Sequence, residues 1–495
     1  MLEPGAVLPV SVERFAALGR GVARVDGQAL LVRRGVAGEA VRVRVERVYA
    51  KYALARVVSV EQAAADRVEP PCPHFDACGG CDWQHLSLPA QAGLKRTVLG
   101  EQLARIGGLQ PPEDWRLESA PPEDSLAYRD KLEFVPVSDG AAWRPGLHGE
   151  DGLALPIGEC LLAPPYFSTL AMAVLESLTG AGVLPPPPSA GSAPPNLIRL
   201  TVQGTEKTDG SPGLSLLLHL KAGPGEKPAP LLRRYAEAVS DTWSALQVRV
   251  PQAEGVALLM GGGENRGGGK TRGGKTRGGR RKPRLEVVRG ENLLRKRVAG
   301  RLYLAPLNGF FQVNLAMASR MTAHLIEVLE PRLLPPETER PGPEALPLLF
   351  DLYGGAGLFA LPLAASGFRV LCVDSDKWAL RAGEDTARAA AVEHCRFHRR
   401  NLENPGALGA LIGREGAPAA MIVNPPRRGL APSLLADMLK ASPPLLVYVS
   451  CDGGTFARDA ARLSESYRMT SLRGFDLFPH THHLEIAAAF ERREA

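Results

Sequence analysis

Residues 348–357 read LLFDLYGGAG. The apolar run, interrupted only by Asp351, has the length and composition of a buried strand, and Gly354, Gly355 and Gly357 turn it sharply into whatever follows. Glycines at the carboxyl end of a strand let the backbone approach a nucleoside closely. A second apolar run, Arg369–Asp374, ends on a carboxylate placed to accept hydrogen bonds from ribose hydroxyls. The pattern repeats at Ala419–Asn424 and Leu445–Ser450, with helical segments such as Lys377–Ala390 between the strands. Strands that alternate with helices predict a parallel sheet whose ligands sit along the carboxyl ends of its strands.

The two later strands carry chemistry at that edge. One ends in Asn424-Pro-Pro-Arg-Arg-Gly429 and the other in Ser450-Cys451-Asp452. A cysteine there is a candidate nucleophile, although a small buried hydrophobe is the commoner fate of a single cysteine. The tail, Phe478-Pro-His-Thr-His-His-Leu-Glu485, tips the balance. A final strand returning beside Cys451 would bring Glu485 within reach as a base. Its histidines lack good chelating spacing for a metal.

Upstream of the alternating region the composition changes. Residues 6–60 alternate Val and Arg between glycine turns, as in Ala40–Val45, and predict a small all-β barrel. Cys72, Cys78 and Cys81 follow with spacing C-x5-C-x2-C, and the distant Cys160 completes a possible four-thiolate site for zinc or an iron–sulfur cluster. A helical stretch runs from Leu86 to Arg105, then a mixed α/β region interrupted by prolines at 185–188.

Charge is distributed unevenly. The chain of 495 residues carries +6, yet between Gly261 and Arg284 nine basic side chains stand against Glu264 alone, a net +8 that leaves −2 for the remainder. That Gly/Lys/Arg segment cannot bury a core and is expected to be a disordered insertion able to meet phosphates without reading sequence. Gly269–Thr276 formally fits a phosphate-binding loop, but no helix-forming sequence follows its lysine. The N-terminus has neither the basic start nor the apolar run of an export signal, and no uninterrupted apolar run would span a membrane, so a cytoplasmic protein is expected. Disulfides are disfavoured in that setting.

Taken in order, these pieces resemble the RNA 5-methyluridine (uracil-C5) methyltransferases. The resemblance rests on Gly19–Gly27, Cys72–His85, Tyr128–Phe134, Gly309–Asn314, Asp351–Gly357, Asn424–Gly429, Tyr448–Asp452 and Phe478–Glu485. It implies a multidomain α/β protein in three parts: a TRAM-like, OB-like β-barrel over 1–62, an iron–sulfur motif with a central RNA-binding domain over 63–310, and a Rossmann-like class I methyltransferase domain over 311–495. The helix near 86–106 would pack on the catalytic domain. The form of the NPPRRG and FPHTHHLE segments, with the barrel and the cysteines, looks most like the branch that acts on large-subunit (23S) rRNA.

The family's roles, carried over by position, make Cys72, Cys78, Cys81 and Cys160 ligands of a [4Fe–4S] cluster. Gln312, Tyr353, Asp374 and Asn424 would line the S-adenosylmethionine and uracil pocket, with Cys451 as nucleophile and Glu485 as base. Arg427 and Arg428 are expected to help ionise Cys451. RNA is the expected partner of a monomeric enzyme. The chain departs from the family at Gly354-Gly355 (usually Cys-Gly), Leu358 (Asn), Asp374 (Glu) and Asp452-Gly453 (Asn-Pro). Methylation of tRNA, an amino methyltransferase built on Asn424-Pro-Pro, and a non-catalytic iron–sulfur RNA-binding protein are the competing readings.

Overall fold

The computed structural model describes residues 2–16, 19–113, 115–261, 283–340, 342 and 345–494. The predicted basic insertion and its phosphate-loop look-alike fall almost wholly outside the described residues.

The first sheet is a small barrel. Its strands are β1 (Val7–Ser11), β2 (Arg14–Phe15), β3 (Gly21–Val25), β4 (Gln28–Arg33), β5 (Ala40–Val48) and β6 (Tyr52–Gln62), in the order β1-β5-β6-β4-β3-β2. The two ends of that order are consecutive in sequence. Between them Val12 N–H bonds Glu39 O (2.9 Å) and Glu13 N–H bonds Val22 O (2.8 Å), so one segment passes from β5 to β3 and closes the sheet. The Val/Arg alternation of β5 puts Val41, Val43 and Val45 into the barrel core and the arginines outside.

The cysteine segment and α1 (Leu88–Gln102) come next, then β7 (Arg116–Glu118). The central sheet comprises β8 (Lys131–Ser138), β9 (Trp143–His148), β10 (Ala154–Pro156), β11 (Leu197–Glu206), β12 (Pro212–Leu220), β13 (Ala253–Met260) and β14 (Arg284–Arg289), ordered β10-β9-β8-β11-β12-β13-β14. Helices α2 (Tyr166–Gly180) and α3 (Pro228–Arg249) cover one face through Phe167, Leu170, Val174, Leu231 and Tyr235. A hairpin, β15 (Leu293–Val298) and β16 (Arg301–Pro306), and helix α4 (Leu315–Leu333) lead into the last unit.

That unit alternates strand and helix: β17 (Leu348–Leu352), α5 (Ala360–Ala365), β18 (Arg369–Asp374), α6 (Lys377–Ala389), β19 (Cys395–Arg399), α7 (Ala407–Glu415), β20 (Ala420–Val423), α8 (Pro432–Ala441), β21 (Leu445–Ser450), α9 (Gly453–Leu463), β22 (Tyr467–Phe475) and β23 (Glu485–Arg492). The sheet order is β19-β18-β17-β20-β21-β23-β22-β7. β19 through β21 are parallel, and β23 returns antiparallel between β21 and β22. Both faces of the sheet's centre are buried, which is why β17, β18, β20 and β21 are almost wholly apolar.

The division of the chain at 310/311 is not the division of this sheet. Its eighth strand, β7, comes from residues 116–118 and pairs in parallel with β22 at Arg473–Phe475. Three residues of strand carry no periodicity that a sequence reading can use. α1 also belongs to this core: its Leu99, and Leu103 in the helical turn that follows it, pack with Phe456, Ala457 and Ala460 of α9. Among the described residues, no helix is long and apolar enough to cross a membrane.

Candidate active site

β17, β18, β20 and β21 are parallel neighbours, so their carboxyl ends lie on one edge. The glycine turn, Asp374, Asn424 and Cys451 therefore share it. Tyr353 leaves β17 at φ 62° and Gly355 follows at φ 55°, a left-handed turn. A Cβ at Gly355 would meet no atom within 4 Å, so open space lies over the turn. Asp374 stitches this turn to β18: its Oδ2 accepts from Gly355 N–H (3.0 Å) and its Oδ1 from Asp376 N–H (2.9 Å). Beneath it Asp351 is wholly buried, its Oδ2 accepting from Ala360 N–H (3.1 Å), and burial raises its carboxyl to about 7.

Gly354 stands where the resembling family has cysteine, and the structure gives the reason. A Cβ there would lie 2.5 Å from Cys372 Sγ and 2.8 Å from Asp351 Oδ2. The sulfur of Cys372, buried on β18, occupies the space beside the turn. Gly354→Ala is expected to cost about 1–3 kcal/mol by overpacking, and Cys372→Ala in the same chain to recover most of it, as thermal melts would show.

Asp452 has a role too. It caps α9, its Oδ1 accepting from Thr455 N–H (2.7 Å), while a Cβ at Gly453 would lie 2.2 Å from Gln102 Oε1, so Gly453 leaves room for that side chain. α9 in turn pins the Asn424–Gly429 loop: Thr455 Oγ1 donates to Arg427 O (3.1 Å) and Arg458 to Arg428 O (3.0 Å).

Cys451 opens onto a cavity of about 210 Å³. Trp83, Lys95, Arg427, His482 and His483 are among its walls, and Gly19 brings the barrel to its rim. The barrel is fixed there because Trp83 Nε1–H donates to Gly19 O (3.2 Å) and Arg67 makes a two-point pair with buried Glu39 (2.5 and 2.8 Å). Glu485 begins β23, whose register sets Ile486 opposite Ser450, so the acid and the thiol stand at the same end of adjacent strands.

Their electrostatics match that proximity. Burial and then Glu485 push the Cys451 thiol up to about 11, and Arg427 works against the rise. Burial pushes Glu485 up to about 8, again opposed by Arg427. Burial lowers His483 to about 4, so that imidazole is neutral near pH 7. Arg428 differs from expectation: it pairs with Glu403 at the surface, and its charge is spent there. Gln312 is buried just before α4, in a strand of chain held by Asp130 N–H to Val313 O (2.7 Å) and Asn314 Nδ2 to Leu477 O (3.1 Å). Neither it nor Tyr353, Asp374 or Asn424 walls the Cys451 cavity.

The remaining candidates gather elsewhere. Cys72, Cys78, Cys81 and Cys160, all free thiols, line one cavity of about 490 Å³. Gln84 Nε2 donates to Cys81 Sγ (3.2 Å) and Gly80 N–H to Cys78 Sγ (3.4 Å). The buried Arg129 guanidinium lines the same space, with no partner for its Nε among the described residues. Among the described residues, no three His, Cys, Asp or Glu side chains converge to hold a metal ion. The thiols surround a shared volume instead of meeting at a point. The sequence reading gave Asp351 no role beyond its place in the glycine motif, and missed Cys372 and the α1 side chains Gln91 and Lys95, none of which bears a motif of its own.

Comparison with known proteins agrees with this construction. Residues 2–58 match the TRAM domain and residues 415–493 the tRNA (uracil-5-)-methyltransferase family. The 23S rRNA (uracil(1939)-C(5))-methyltransferase of Pseudomonas putida is 31% identical over 97% of this chain and 93% of its own. An uncharacterized RNA methyltransferase of Chlorobaculum tepidum is 27% identical over 92% of this chain and 90% of its own. The solved Pyrococcus abyssi tRNA (uracil-54, C5)-methyltransferase, in complex with S-adenosyl-L-homocysteine, shares the fold over 98% of this chain and 100% of its own (TM-score 0.64, 22% identity). With a thiol and a carboxylate on one sheet edge, beside a nucleoside-type turn, and with close relatives along its whole length, the chain belongs to the RNA (uracil-C5) methyltransferase family.

Proposed function

We propose that this enzyme methylates C5 of a uridine in 23S rRNA from S-adenosylmethionine, through a covalent bond between Cys451 and C6. The observation that carries the mechanism is the apposition of Cys451 and Glu485, each next to the last paired residues of β21 and β23, Ser450 and Ile486. The likeness to the Pseudomonas putida enzyme favours rRNA over tRNA as substrate.

Uracil C5 is a weak nucleophile until a thiolate adds to C6. The Cys451 sulfur forms that bond, and the electron pair displaced from the C5–C6 double bond spreads to O4 as an enolate. S-adenosylmethionine supplies an electrophilic sulfonium methyl, whose bond to sulfur breaks as C5 takes the carbon, the electron pair leaving with S-adenosylhomocysteine. Glu485 then removes the C5 proton, the double bond reforms, and the C6–S bond breaks to return the Cys451 thiolate. Gln312, Tyr353, Asp374 and Asn424 are assigned to the cofactor and the base. The open left-handed turn at Gly355 and the half-buried Asp374 suit a nucleoside held at this edge.

Cys72, Cys78, Cys81 and Cys160 are assigned to a [4Fe–4S] cluster. Their common cavity, the N–H donors to sulfur and the Arg129 guanidinium lining it suit an anionic thiolate cluster wider than a single ion. The reaction is redox-neutral, so the cluster's place is in shaping the segment that carries Trp83. Iron and sulfide in anaerobically purified protein, lost in Cys81→Ser, are expected; zinc in their place would overturn the assignment.

Cys451 and Glu485 both work ionised, yet burial holds both protonated near pH 7. Turnover is therefore expected to rise with pH toward about 8 and beyond. Since Arg427 lowers both groups, Arg427→Met moves the rising limb of the pH–rate profile to higher pH. An unmoved limb removes Arg427 from this role.

The test uses 23S rRNA and tRNA transcripts made with 5-fluorouridine. Fluorine cannot leave as a proton, so the adduct persists through denaturing electrophoresis. An adduct at Cys451 on the rRNA transcript supports the reading, capture on tRNA alone transfers it to tRNA, and capture on neither overturns it.

A further inference from the structure

Glu485 is the first residue after a nine-residue loop, Asp476–Leu484, that joins β22 to β23. Two polar side chains on the inner face of α1 hold it, alongside Asn314, whose Nδ2 donates to Leu477 O (3.1 Å), and Tyr128, whose hydroxyl donates to Pro479 O (3.2 Å). Lys95, 2% exposed, donates from Nζ to Asp476 Oδ1 (2.6 Å) and to Phe478 O (3.2 Å). Gln91, fully buried, accepts from His480 N–H through Oε1 (2.8 Å) and meets the same residue's Nδ1 through Nε2 (3.3 Å).

His480 is the point of leverage. It holds φ 67°, a left-handed conformation costly for a residue with a Cβ, and one that survives only where its surroundings over-determine it. Gln91 supplies part of that, and its amide is itself fixed by donation to Trp83 O (3.0 Å) and Leu86 O (2.9 Å). His480 O accepts from Asp82 N–H (3.0 Å) and Trp83 N–H (2.9 Å). His480 is thus set by α1 and the cysteine segment, whose chain lies nearly four hundred residues away.

A buried ammonium–carboxylate pair gives a folded protein little that two apolar residues of similar size would not. Its value lies in geometry. A base takes a proton only within about 2.6–3.2 Å, and a misplacement of about 1 Å costs on the order of a hundredfold. We infer that Lys95 and Gln91 are positioning residues that aim Glu485 at the C5 proton, so that α1 controls release of the methylated RNA from Cys451. This rests on the covalent reading above. Cys451 lies just past the end of β21 and not on the loop, and Gln91 does not wall its cavity, so addition to C6 and methyl transfer do not need the Gln91 contact of this clamp.

The test replaces the pair together, Lys95→Met with Asp476→Leu, so that no charge is stranded in the core, and adds Gln91→Leu as an independent variant. Each is incubated with S-adenosylmethionine and ordinary uridine-containing rRNA transcript. Both are expected to turn over about a hundredfold more slowly and to leave a methylated RNA–protein adduct that survives denaturation; Gln91→Leu, whose side chain is not among the cavity walls, also keeps a single-turnover methyl transfer within about threefold of the parent. Parent-like steady-state turnover overturns the inference, and so does slow turnover with no adduct, which is the mark of a merely structural role. The parent enzyme on 5-fluorouridine RNA separates the two claims: adduct from the parent but none from the variants sinks the clamp alone, while no adduct from the parent sinks the covalent reading and the clamp with it.

Discussion

Cys451→Ala is expected to abolish methyl transfer, lowering turnover at least about 10⁴-fold, because the step it removes is the one that makes C5 nucleophilic. RNA binding should survive, since the barrel, the central sheet and α1 are untouched. Tritium release from C5-labelled uridine and methyl incorporation from labelled S-adenosylmethionine must fail together. Alanine at 451 that still transfers methyl would point to a nitrogen target and to the Asn424-Pro-Pro segment as an amino methyltransferase motif. The thiol's environment sharpens the expectation. Burial and Glu485 hold Cys451 up to about 11, so little thiolate exists before RNA binds, and alkylation of the free enzyme should be slow.

Glu485→Gln should separate the two halves of the reaction. Gln keeps the shape and lacks the base, so methyl transfer proceeds once and the C5 proton stays. Turnover falls roughly 10²–10⁴-fold, and methylated RNA remains covalently attached. An equal loss of both halves, with no adduct, would deny Glu485 its role. Stability should move the other way. In the folded protein burial raises Glu485 to about 8 from an ordinary value of 4.5, so between those values the folded state keeps a proton the unfolded state has lost. Its contribution is fully present below pH 4.5 and is lost as pH rises through about 8. Glutamine carries no such penalty, and the variant should gain on the parent in melts taken toward pH 8, by an amount on the order of a few kcal/mol.

Much of this site was legible because strands buried on both faces announce themselves. The runs Arg369–Asp374 and Leu445–Ser450 coincide with β18 and β21 at both ends, and the neighbouring runs differ from β17 and β20 only in terminal residues. Cys451 and Glu485 followed, since a parallel sheet places every strand's carboxyl end on one edge and a returning antiparallel strand adds its amino end to it. Less was legible where no periodicity exists. β7 is three residues long, and nothing local says that it completes a sheet begun more than two hundred residues later. The arginine pair shows another limit: Arg427 and Arg428 are adjacent, yet one reaches the Cys451 cavity and the other turns to Glu403.

The departures at 354 and 452–453 make the same point from the opposite side. Taken singly they weaken the family pattern. In three dimensions Gly354 makes room for Cys372, Gly453 for Gln102, and Asp452 caps α9. The amino-acid sequence by itself indicated the barrel at the start and the parallel sheet at the end, the candidate nucleophile and base, and the four thiols, because each is written as a local pattern or a short motif. Only the tertiary structure decided which partners hold them: the Lys95–Asp476 pair, the Gln91–His480 lock, the barrel resting on Trp83 and the filling of Gly354 by Cys372. Those contacts join residues far apart in the chain, and packing and hydrogen-bond geometry, which select them, exist only once the elements have met.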